Sequence, residues 1–383
     1  MAIRRPISSA SAGLGAAAVA LTLLTGCTGP SSAPSAAPPP NVAEKSASAA
    51  AASPEQNAAL QKIGFGSCLH QDDPRPIMEA VLARDFELFV FMGDNVYGDV
   101  ESPDDLVELR EAYARQAEAD GFKALREQVP LLATWDDHDF GLNDAGATFP
   151  GRDGAEDLFN KFWDVPPDSV DAKRPGVYAA HTFGPPGRRV QVLLLDTRYF
   201  RSDLVKGELP EGLSGRYVPS NDPERTLLGD TQWKWLEDEL RKPADLRLLV
   251  SSTQILAEGH GFEAWRTLPL ERERLYSILH KTRANGVIVL SGDRHRAGIY
   301  KREAIIGYPL YEITSSSLNR PSSSPEEPGP HRLGPTYRPE NFGAIHIDWT
   351  AGTVGLEIAD IDGETVLRED LSIGRLRVSD GRD

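Results

Sequence analysis

Cysteine is scarce in this sequence, since Cys27 and Cys68 are the two cysteines among 383 residues. The count excludes the multi-disulfide frameworks of small secreted domains. Positive charge is also in deficit, because the formal net charge is -16. Proteins that bind nucleic acid or anionic membranes non-specifically need a cationic surface, so this charge argues against both classes. The acidic excess fits either a solubilising surface or carboxylates gathered on metal ions.

The sequence also lacks features that are typical of two further classes, the serine hydrolases of the α/β type and the transmembrane proteins. The sequence has no Gly-x-Ser-x-Gly elbow, which argues against a serine hydrolase of the α/β type. The apolar stretch that ends at Leu24 is short and rich in Ala and Gly, so it does not predict a transmembrane helix. No internal repeat is present, and the length suggests one large domain or two ordinary ones.

Residues 1–26 have the composition of an export signal. Arg4 and Arg5 precede an Ala- and Leu-rich run, and small residues precede Cys27. The segment 23-LLTGC-27 resembles a bacterial lipobox, which implies that Cys27 becomes the lipidated N-terminus. We therefore expect an exported protein held at the cell envelope, in the periplasm or on the cell surface, by its lipid anchor only. The arginine pair also fits a twin-arginine signal, so the export route stays open.

Residues 27–59 are mostly Ala, Pro and Ser. Such a composition predicts a disordered tether, followed by a folded catalytic domain over residues 60–378. With Cys27 acylated, Cys68 has no partner for an intrachain disulfide. It is then either an inert buried thiol, as free cysteines often are, or a ligand in a metal site.

Hydrophobic periodicity predicts alternating strands and helices in the first two-thirds of the domain and strands alone in the last third. Strands are predicted at Ile63–Cys68, Leu88–Met92, Leu131–Trp135, Val190–Leu195, Leu246–Ser251 and Val287–Leu290, then at Ile299–Tyr300, Leu310–Ile313, Ala344–Trp349, Val354–Ile358 and Thr365–Leu371. Helices are predicted at Ile77–Arg84, Pro103–Ala119 (with Ser102 as N-cap), Ala155–Trp163, Thr231–Arg241 and Leu270–Arg283. Three long loops, 142–152, 203–225 and 319–341, are candidates for functional segments.

Reactive side chains follow the ends of five predicted strands. The segments are 66-GSC-68, 93-GDNVY-97, 136-DDHD-139, 196-DTR-198 and 292-GDRH-295. In open α/β folds, ligands bind at the edge where parallel strands end. Carboxylates packed there would repel one another and take up protons, and a bound cation removes that cost. The pattern therefore predicts a metal centre, in which two ions about 3.5–4 Å apart could clamp a phosphoryl group.

These segments resemble the PhoD-type alkaline phosphatases of the calcineurin-like metallophosphoesterase superfamily. The resemblance covers about residues 62–315 and includes the longer segments 135-WDDHD-139 and 195-LDTRYFR-201. It implies an α/β fold of the metallophosphoesterase type, a four-layer α/β/β/α sandwich with two mixed sheets. Larger PhoD-like enzymes carry a β domain before the catalytic core. Here we expect the tether alone before Ile63, and we assign the strands after residue 297 to the second sheet.

The resemblance also implies the metals. It predicts Fe3+ together with Ca2+, with Mn2+, Mg2+ or Zn2+ as alternatives. Thiolate and phenolate ligands suit iron, whereas carboxylates suit the harder divalent ions. The implied ligands are Cys68, Asp94, Tyr97 and Asp293 for iron, with Asp94 bridging to a second ion held by Asp137 and His295. An alternative for Tyr97 is a buried tyrosine hydrogen-bonded to a carbonyl group.

The remaining residues of these segments have catalytic or structural interpretations. By the resemblance, His138 contacts the phosphate and protonates the leaving group, and Asp139 orients its imidazole. Arg198 is interpreted either as a bidentate phosphate clamp or as an ion-pair partner of Asp196. Asp136 is expected to be structural. Weaker candidates for ligands are His70, Gln254, Asn143 and Asp144.

The expected activity is metal-dependent hydrolysis of phosphoric esters, either monoesters or diesters, by a metal-bound hydroxide that attacks phosphorus in line. The substrate would be a small phosphate ester or a phosphodiester, and no specific nucleic-acid partner is expected. The protein is expected to be a monomer. The alternative is a noncatalytic surface lipoprotein that binds phosphate or a phosphorylated ligand in the same cleft.

Overall fold

The structure is a computed structural model that describes residues 57–378. The predicted signal peptide (1–26), the lipidation site Cys27 and the tether up to residue 56 lie outside the described residues. Within 57–378, none of the helices combines the length and the apolar character that a membrane span requires.

Two mixed sheets form the centre of the fold. The first has six strands in the order β13-β12-β11-β1-β2-β3, and the second has seven in the order β10-β8-β9-β7-β6-β5-β4. The strands are β1 Lys62–Gly66, β2 Leu88–Met92, β3 Leu131–Thr134, β4 Ala179–Phe183, β5 Val190–Leu194, β6 Leu246–Ser251, β7 Val287–Ser291, β8 Ala297–Arg302, β9 Leu310–Ser315, β10 Arg332–Tyr337, β11 Phe342–Asp348, β12 Thr353–Ala359 and β13 Thr365–Ser372. Strands β1, β2 and β3 are mutually parallel, as are β5, β6 and β7.

Helices cover the sheets. They are α1 Ile77–Leu82, α2 Val107–Glu118, α3 Asp120–Gln128, α4 Asp137–Phe140, α5 Arg152–Phe162, α6 Gly229–Leu240 and α7 Pro269–Lys281. The side chains of α1 and α3 pack on the first sheet in a cluster with Phe89 and Phe91. Those of α6 and α7, Trp233 and Leu275 among them, pack with strands of the second sheet. The arrangement is the expected four-layer α/β/β/α sandwich.

Strand β2 shows why the two sheets face each other. All five of its residues are buried, and successive side chains point to opposite faces. Leu88, Val90 and Met92 enter the cluster shared with the second sheet, whereas Phe89 and Phe91 face the helices. A strand with apolar residues on both faces is stable only between two apolar layers. The parallel strands therefore end side by side at one edge of the sandwich.

The predicted elements differ from the structure in several places. Of the strands predicted after residue 297, β8 and β9 join the second sheet as expected, but β11, β12 and β13 extend the first, because β11 pairs antiparallel with the free edge of β1. Strands β4 and β10 and helix α3 were not predicted. Helix α2 begins at Val107, after Leu106 in a left-handed conformation, so Ser102 is not its N-cap. Strand β3 is an edge strand and is only partly buried.

Candidate active site

The strand ends deliver their reactive side chains to one place, as their positions predicted. Cys68 follows β1, Asp94 follows β2, Asp137 follows β3 and Asp293 follows β7. All four are buried or nearly so. Asp196, after β5, is the exception: its carboxylate accepts backbone N–H groups from its own loop and from Val177, so it braces that loop.

The backbone is strained at these positions. Cys68, Asp94, Asp293 and His295 all have positive φ, at 59°, 51°, 65° and 52°. Residues other than glycine adopt this region rarely, and such strain concentrates where a site needs a particular side-chain direction. Gly93 has φ 98°, and a Cβ there would lie 2.5 Å from Cβ of Asp136, so only glycine fits. The strained turns aim these side chains into the cleft.

Cys68 lies at the closed end of the site and is fully buried. Its Sγ lies 3.4 Å from Oδ2 of Asp94 and 3.1 Å from Oγ of Ser316. The Tyr97 hydroxyl donates to the same Oδ2 of Asp94 at 3.3 Å. Burial, together with the charge of Asp94, raises the pKa of both the thiol and the phenol well above their ordinary values. The alternative interpretation of Tyr97, a bond to a carbonyl group, does not describe this contact.

Several carboxylate oxygens in the site are buried without a hydrogen-bond partner among the described residues. They are Oδ1 of Asp94, Oδ2 of Asp136 and Oδ2 of Asp293. Burial, with the negative charge of Asp137, raises the pKa of Asp94 to about 8, and burial also raises the pKa of Asp136 and of Asp293 far above the ordinary range. A buried, unpaired carboxylate is costly, and a bound cation is the group that would satisfy such oxygens. The donor set thus fits metal ions.

The groups that the candidate ligand atoms form only partly match the predicted assignment of ligands to two ions. Each group has one ligand atom per residue, all within 4.8 Å of one another. The groups are Cys68 with Asp94 and His295; Asp94 with Asp137 and His138; Asp136 with Asp137 and Asp293; and Asp137 with Asp144 and Glu263. The predicted partition placed Asp293 with Cys68 and His295 with Asp137, whereas these groups exchange the two.

His138 lies at the rim of the cleft with 16% of its side chain exposed. Its ring is 4.3 Å from the ring of Tyr97, centroid to centroid. Its Nδ1 lies 2.8 Å from Oδ2 of Asp99, which leaves Nε2 for a ligand. Burial opposes protonation, but the charges of Asp137, Asp94 and Asp99 outweigh it and raise the pKa of His138 to about 11. Without a bound cation, these carboxylates therefore hold the histidine in its protonated form.

Asp139 does not have the predicted position beside that imidazole. Its Oδ1 accepts N–H groups from Asp136 at 2.5 Å and from Asp94 at 3.2 Å, and its Oδ2 accepts from Asn95 at 3.2 Å. The reason is local: Asp139 is the third residue of α4, where a side chain turns back to cap the N-terminus. Asp139 thereby ties the β2 and β3 turns together, and Asp99 makes the contact with the histidine.

Arg198 is fully buried and contacts carboxylates instead of the open cleft. Its Nε donates to Oδ1 of Asp136 at 2.6 Å, and its Nη1 donates to Oε2 of Glu263 at 2.6 Å. The contact with Asp196 is made by the Arg198 backbone N–H, not by the guanidinium. The position favours the ion-pair interpretation over the phosphate clamp, with Asp136 and Glu263 as partners. As the ion-pair partner of Arg198, Asp136 has the structural role that was expected of it.

The cleft above the carboxylates has a volume of about 210 Å³. Its walls include residues from the long loops, Arg216, Ser322 and Ser324 among them, together with Phe262 and Glu263. The long loops are predicted to be functional from their length alone. The sequence does not predict these individual wall residues, because each lies far along the chain from the strand-end segments. Of the weaker candidates, Asn143 and Asp144 line the cleft. Gln254 instead bonds to His260 and Thr314, and His70 is in none of the ligand groups.

Comparison with known proteins agrees with this geometry. The profile of PhoD-like phosphatases matches residues 159–351, about half of the chain. The chain belongs to the PhoD-like phosphatase family. Alkaline phosphatase D of Bacillus subtilis (strain 168) is 23% identical to this PhoD-like chain over 283 residues, which are 63% of the chain and 47% of that relative. The chain thus spans about half the length of the curated relative it matches.

Two solved structures share the fold of this PhoD-like chain. A structure of PhoD superposes with a TM-score of 0.63 at 17% identity, covering 84% of this chain and 70% of that one. Purple acid phosphatase PPD1 from yellow lupin (Lupinus luteus) seeds superposes with a TM-score of 0.51 at 10% identity, covering 84% and 55%. The metallophosphoesterase type of fold predicted from the strand-end segments is confirmed.

Proposed function

We propose that this chain is a metal-dependent phosphoric ester hydrolase, acting as an alkaline phosphatase, a phosphodiesterase or both. One observation carries the proposal. Buried oxygens of Asp94 and Asp293 have no hydrogen-bond partner among the described residues, and both residues line a cleft whose rim holds His138. Membership of the PhoD-like family and the fold shared with a purple acid phosphatase support the same reaction class.

The proposed ligands are those the sequence predicted: Cys68, Asp94, Tyr97, Asp137, Asp293 and His295. Their thiolate and phenolate groups favour Fe3+ at the closed end, and their carboxylates favour Ca2+ beside it, with Mn2+, Mg2+ and Zn2+ as alternatives. When bound, such ions would neutralise the carboxylates, attract the phosphate and activate the attacking water. Asp94 lies in both the thiol group and the Asp137 group, so it is the proposed bridge.

The protein's own residues then manage the protons. Hydrolysis forms a bond from phosphorus to the oxygen of water and breaks the bond from phosphorus to the leaving oxygen. The leaving alkoxide needs a proton, and His138 can donate it from Nε2 because Asp99 holds Nδ1. Asp139 keeps the turns that carry Asp94 and Asp136 at a fixed separation. The reacting groups are therefore positioned by buried hydrogen bonds.

The cellular location is proposed from the sequence alone. The support is the segment 23-LLTGC-27 after an apolar run, which implies export and lipid anchoring through Cys27 at the cell envelope. Metabolic labelling with a radioactive fatty acid should mark the wild-type protein and should not mark Cys27→Ala. Equal labelling of both proteins would contradict the anchor.

Hydrolysis of p-nitrophenyl phosphate and bis-p-nitrophenyl phosphate, before and after chelation, tests the enzymatic proposal. We expect turnover of at least one ester, loss of turnover on chelation and recovery when metal is restored. Asp94→Asn should lose bound metal and activity together, whereas Asp230→Asn, on a side chain that is 97% exposed, should keep both. Full metal occupancy without turnover of either ester would refute the enzyme. Phosphate binding under those conditions would instead support the noncatalytic lipoprotein.

A further inference from the structure

A second cavity opens beside the metal cleft. Its volume is about 610 Å³, against about 210 Å³ for the cleft itself. The two share Asn143, Asp144 and Arg216 in their walls, so they are neighbours with a common partition. Asp144 also connects the cavity to the site chemically, because its backbone N–H donates to Oδ2 of Asp137 at 2.7 Å. A molecule with its phosphoryl group in the cleft would have the rest of its structure directed at this cavity.

The partition between the two spaces is built rigidly. Arg216 and Tyr217 both donate backbone N–H groups to the carbonyl of Gly261, at 2.8 Å and 2.7 Å. Gly215 has φ 126°, and a Cβ there would lie 2.1 Å from the carbonyl carbon of Gly261, so this approach requires glycine. The Tyr217 hydroxyl donates to Oδ2 of Asp144 at 2.7 Å. The shape of the cavity therefore follows from buried contacts and close backbone packing.

The cavity offers two kinds of surface. Phe149, Pro150 and Leu142 give an apolar wall, and Leu142 is 43% exposed, which is unusual for a large aliphatic residue. Lys206 and Arg216 give a basic wall, and their backbones are neighbours in the loop, since Lys206 pairs with Tyr217.

The basic charge is only partly neutralised. Arg216 lies 3.1 Å from Oδ2 of Asp144 and is still 53% exposed. Asp203 accepts from Thr148 at 2.8 Å. Within residues 57–378, Lys206 has no carboxylate within ion-pair distance, so its ammonium group is available to an anion.

We propose that this cavity is the subsite for the leaving group, and that it favours a bulky leaving group with a negative charge of its own, such as a second phosphate. The inference rests on the proposed function, because it assigns the phosphoryl group to the metal cleft. The apolar wall would pack against the body of the leaving group, and Lys206 and Arg216 would contact its anion. The protein would then select among phosphate esters by what is attached to the phosphate.

Three esters test this subsite with the metal-loaded full chain. They are p-nitrophenyl phosphate, adenosine 5′-phosphate and adenosine 3′,5′-bisphosphate. Whichever phosphate of the bisphosphate is hydrolysed, the other one remains on the leaving alcohol as its anion. We expect kcat/KM to be highest for the bisphosphate, relative to the monophosphate of the same nucleoside. The variant Lys206→Gln, at a residue that lines this cavity and not the metal cleft, should lower kcat/KM for the bisphosphate by about tenfold or more and leave p-nitrophenyl phosphate nearly unchanged.

Matched variants separate charge from space. Lys234→Gln removes a lysine whose side chain is 78% exposed on α6, away from both cavities, and should have no effect on any of the three esters. Thr148→Trp should fill the cavity and slow both nucleotides more than p-nitrophenyl phosphate, whose leaving group is smaller. Thr350→Trp, at an exposed turn, is its control.

The outcomes distinguish the inference from the proposed function. No hydrolysis of p-nitrophenyl phosphate or of either nucleotide with metal bound would refute the function. Hydrolysis with equal kcat/KM for the two nucleotides, or equal losses on all three esters in Lys206→Gln, would refute the subsite and leave the function standing. Unchanged nucleotide hydrolysis in Thr148→Trp would also refute the subsite.

Discussion

Replacement of Arg198 by methionine is expected to destabilise the fold by about 3–5 kcal/mol, because it would leave the buried Asp136 carboxylate without its counter-charge and remove one of the two arginines that pair with the buried Glu263. The Arg198 side chain is 0% exposed, and its two partners, Asp136 and Glu263, are 1% and 3% exposed. The guanidinium donates to one oxygen of each carboxylate. Since these side chains are buried, the expected cost is that of losing a buried ion pair, not a surface ion pair.

The exposed pair between Arg241 and Glu237, one helical turn apart on α6, gives the contrast. Arg241 is 50% exposed there, so Arg241→Met is expected to cost about 0.5 kcal/mol or less. Thermal unfolding at a fixed, saturating metal concentration measures both variants, because bound metal itself shifts the midpoint. About 1.5–2 °C per kcal/mol is expected for a domain of this size, so Arg198→Met should lower Tm by roughly 5–10 °C.

A partial rescue separates charge from packing. Asp136→Asn in the Arg198→Met background removes the uncompensated charge at Asp136 and should recover part of the lost stability. An unchanged Tm in Arg198→Met, accompanied by a large rise in KM, would refute the ion-pair interpretation. That result would restore the alternative in which this arginine clamps the substrate phosphate.

Three further predictions follow from the site and its surroundings. His138→Gln should lower kcat by about 10²-fold or more for an alkyl phosphate, whose leaving alkoxide needs a proton, and far less for p-nitrophenyl phosphate; equal losses on both would contradict proton donation. The metal-loaded protein should show a visible charge-transfer band from thiolate or phenolate to iron, weakened in Cys68→Ser, and a colourless protein that contains zinc alone would contradict the iron. Glu156, which accepts from the Gly176 N–H at 3.1 Å, has its pKa raised to about 7 by burial, so the folded state binds its proton more tightly than the unfolded chain does. Its contribution to stability is therefore full below about pH 4.5 and is lost as the pH rises through about 7. Over that pH range, the Tm of wild type should fall relative to the Tm of Glu156→Gln. Parallel curves of Tm against pH for the two proteins would contradict the raised pKa.

Local chemistry made much of this fold predictable. The run Leu88–Met92 is apolar throughout, and such a run between turn signals predicts a strand buried on both faces. Helix α3, which follows α2 after a single extended residue, Ala119, was not predicted, because the predicted helix ends at that residue. Strand β10 was not predicted because Gly334 and Pro335 interrupt its hydrophobic pattern. The residues on either side of them, Leu333 and Tyr337, still pair with β8.

The candidate site, like the fold, was predictable only in part from the sequence. The strand-end positions of Cys68, Asp94, Asp137 and Asp293 predict that these residues lie near one another, because parallel strands that end in sharp turns carry their next residues to a common edge. Which groups touch depends on the packing of the loops in three dimensions. Asp99 and not Asp139 holds His138, and Glu263 is a partner of Arg198. These pairings join residues 39 and 65 positions apart, and no local pattern encodes a contact that depends on how two loops pack.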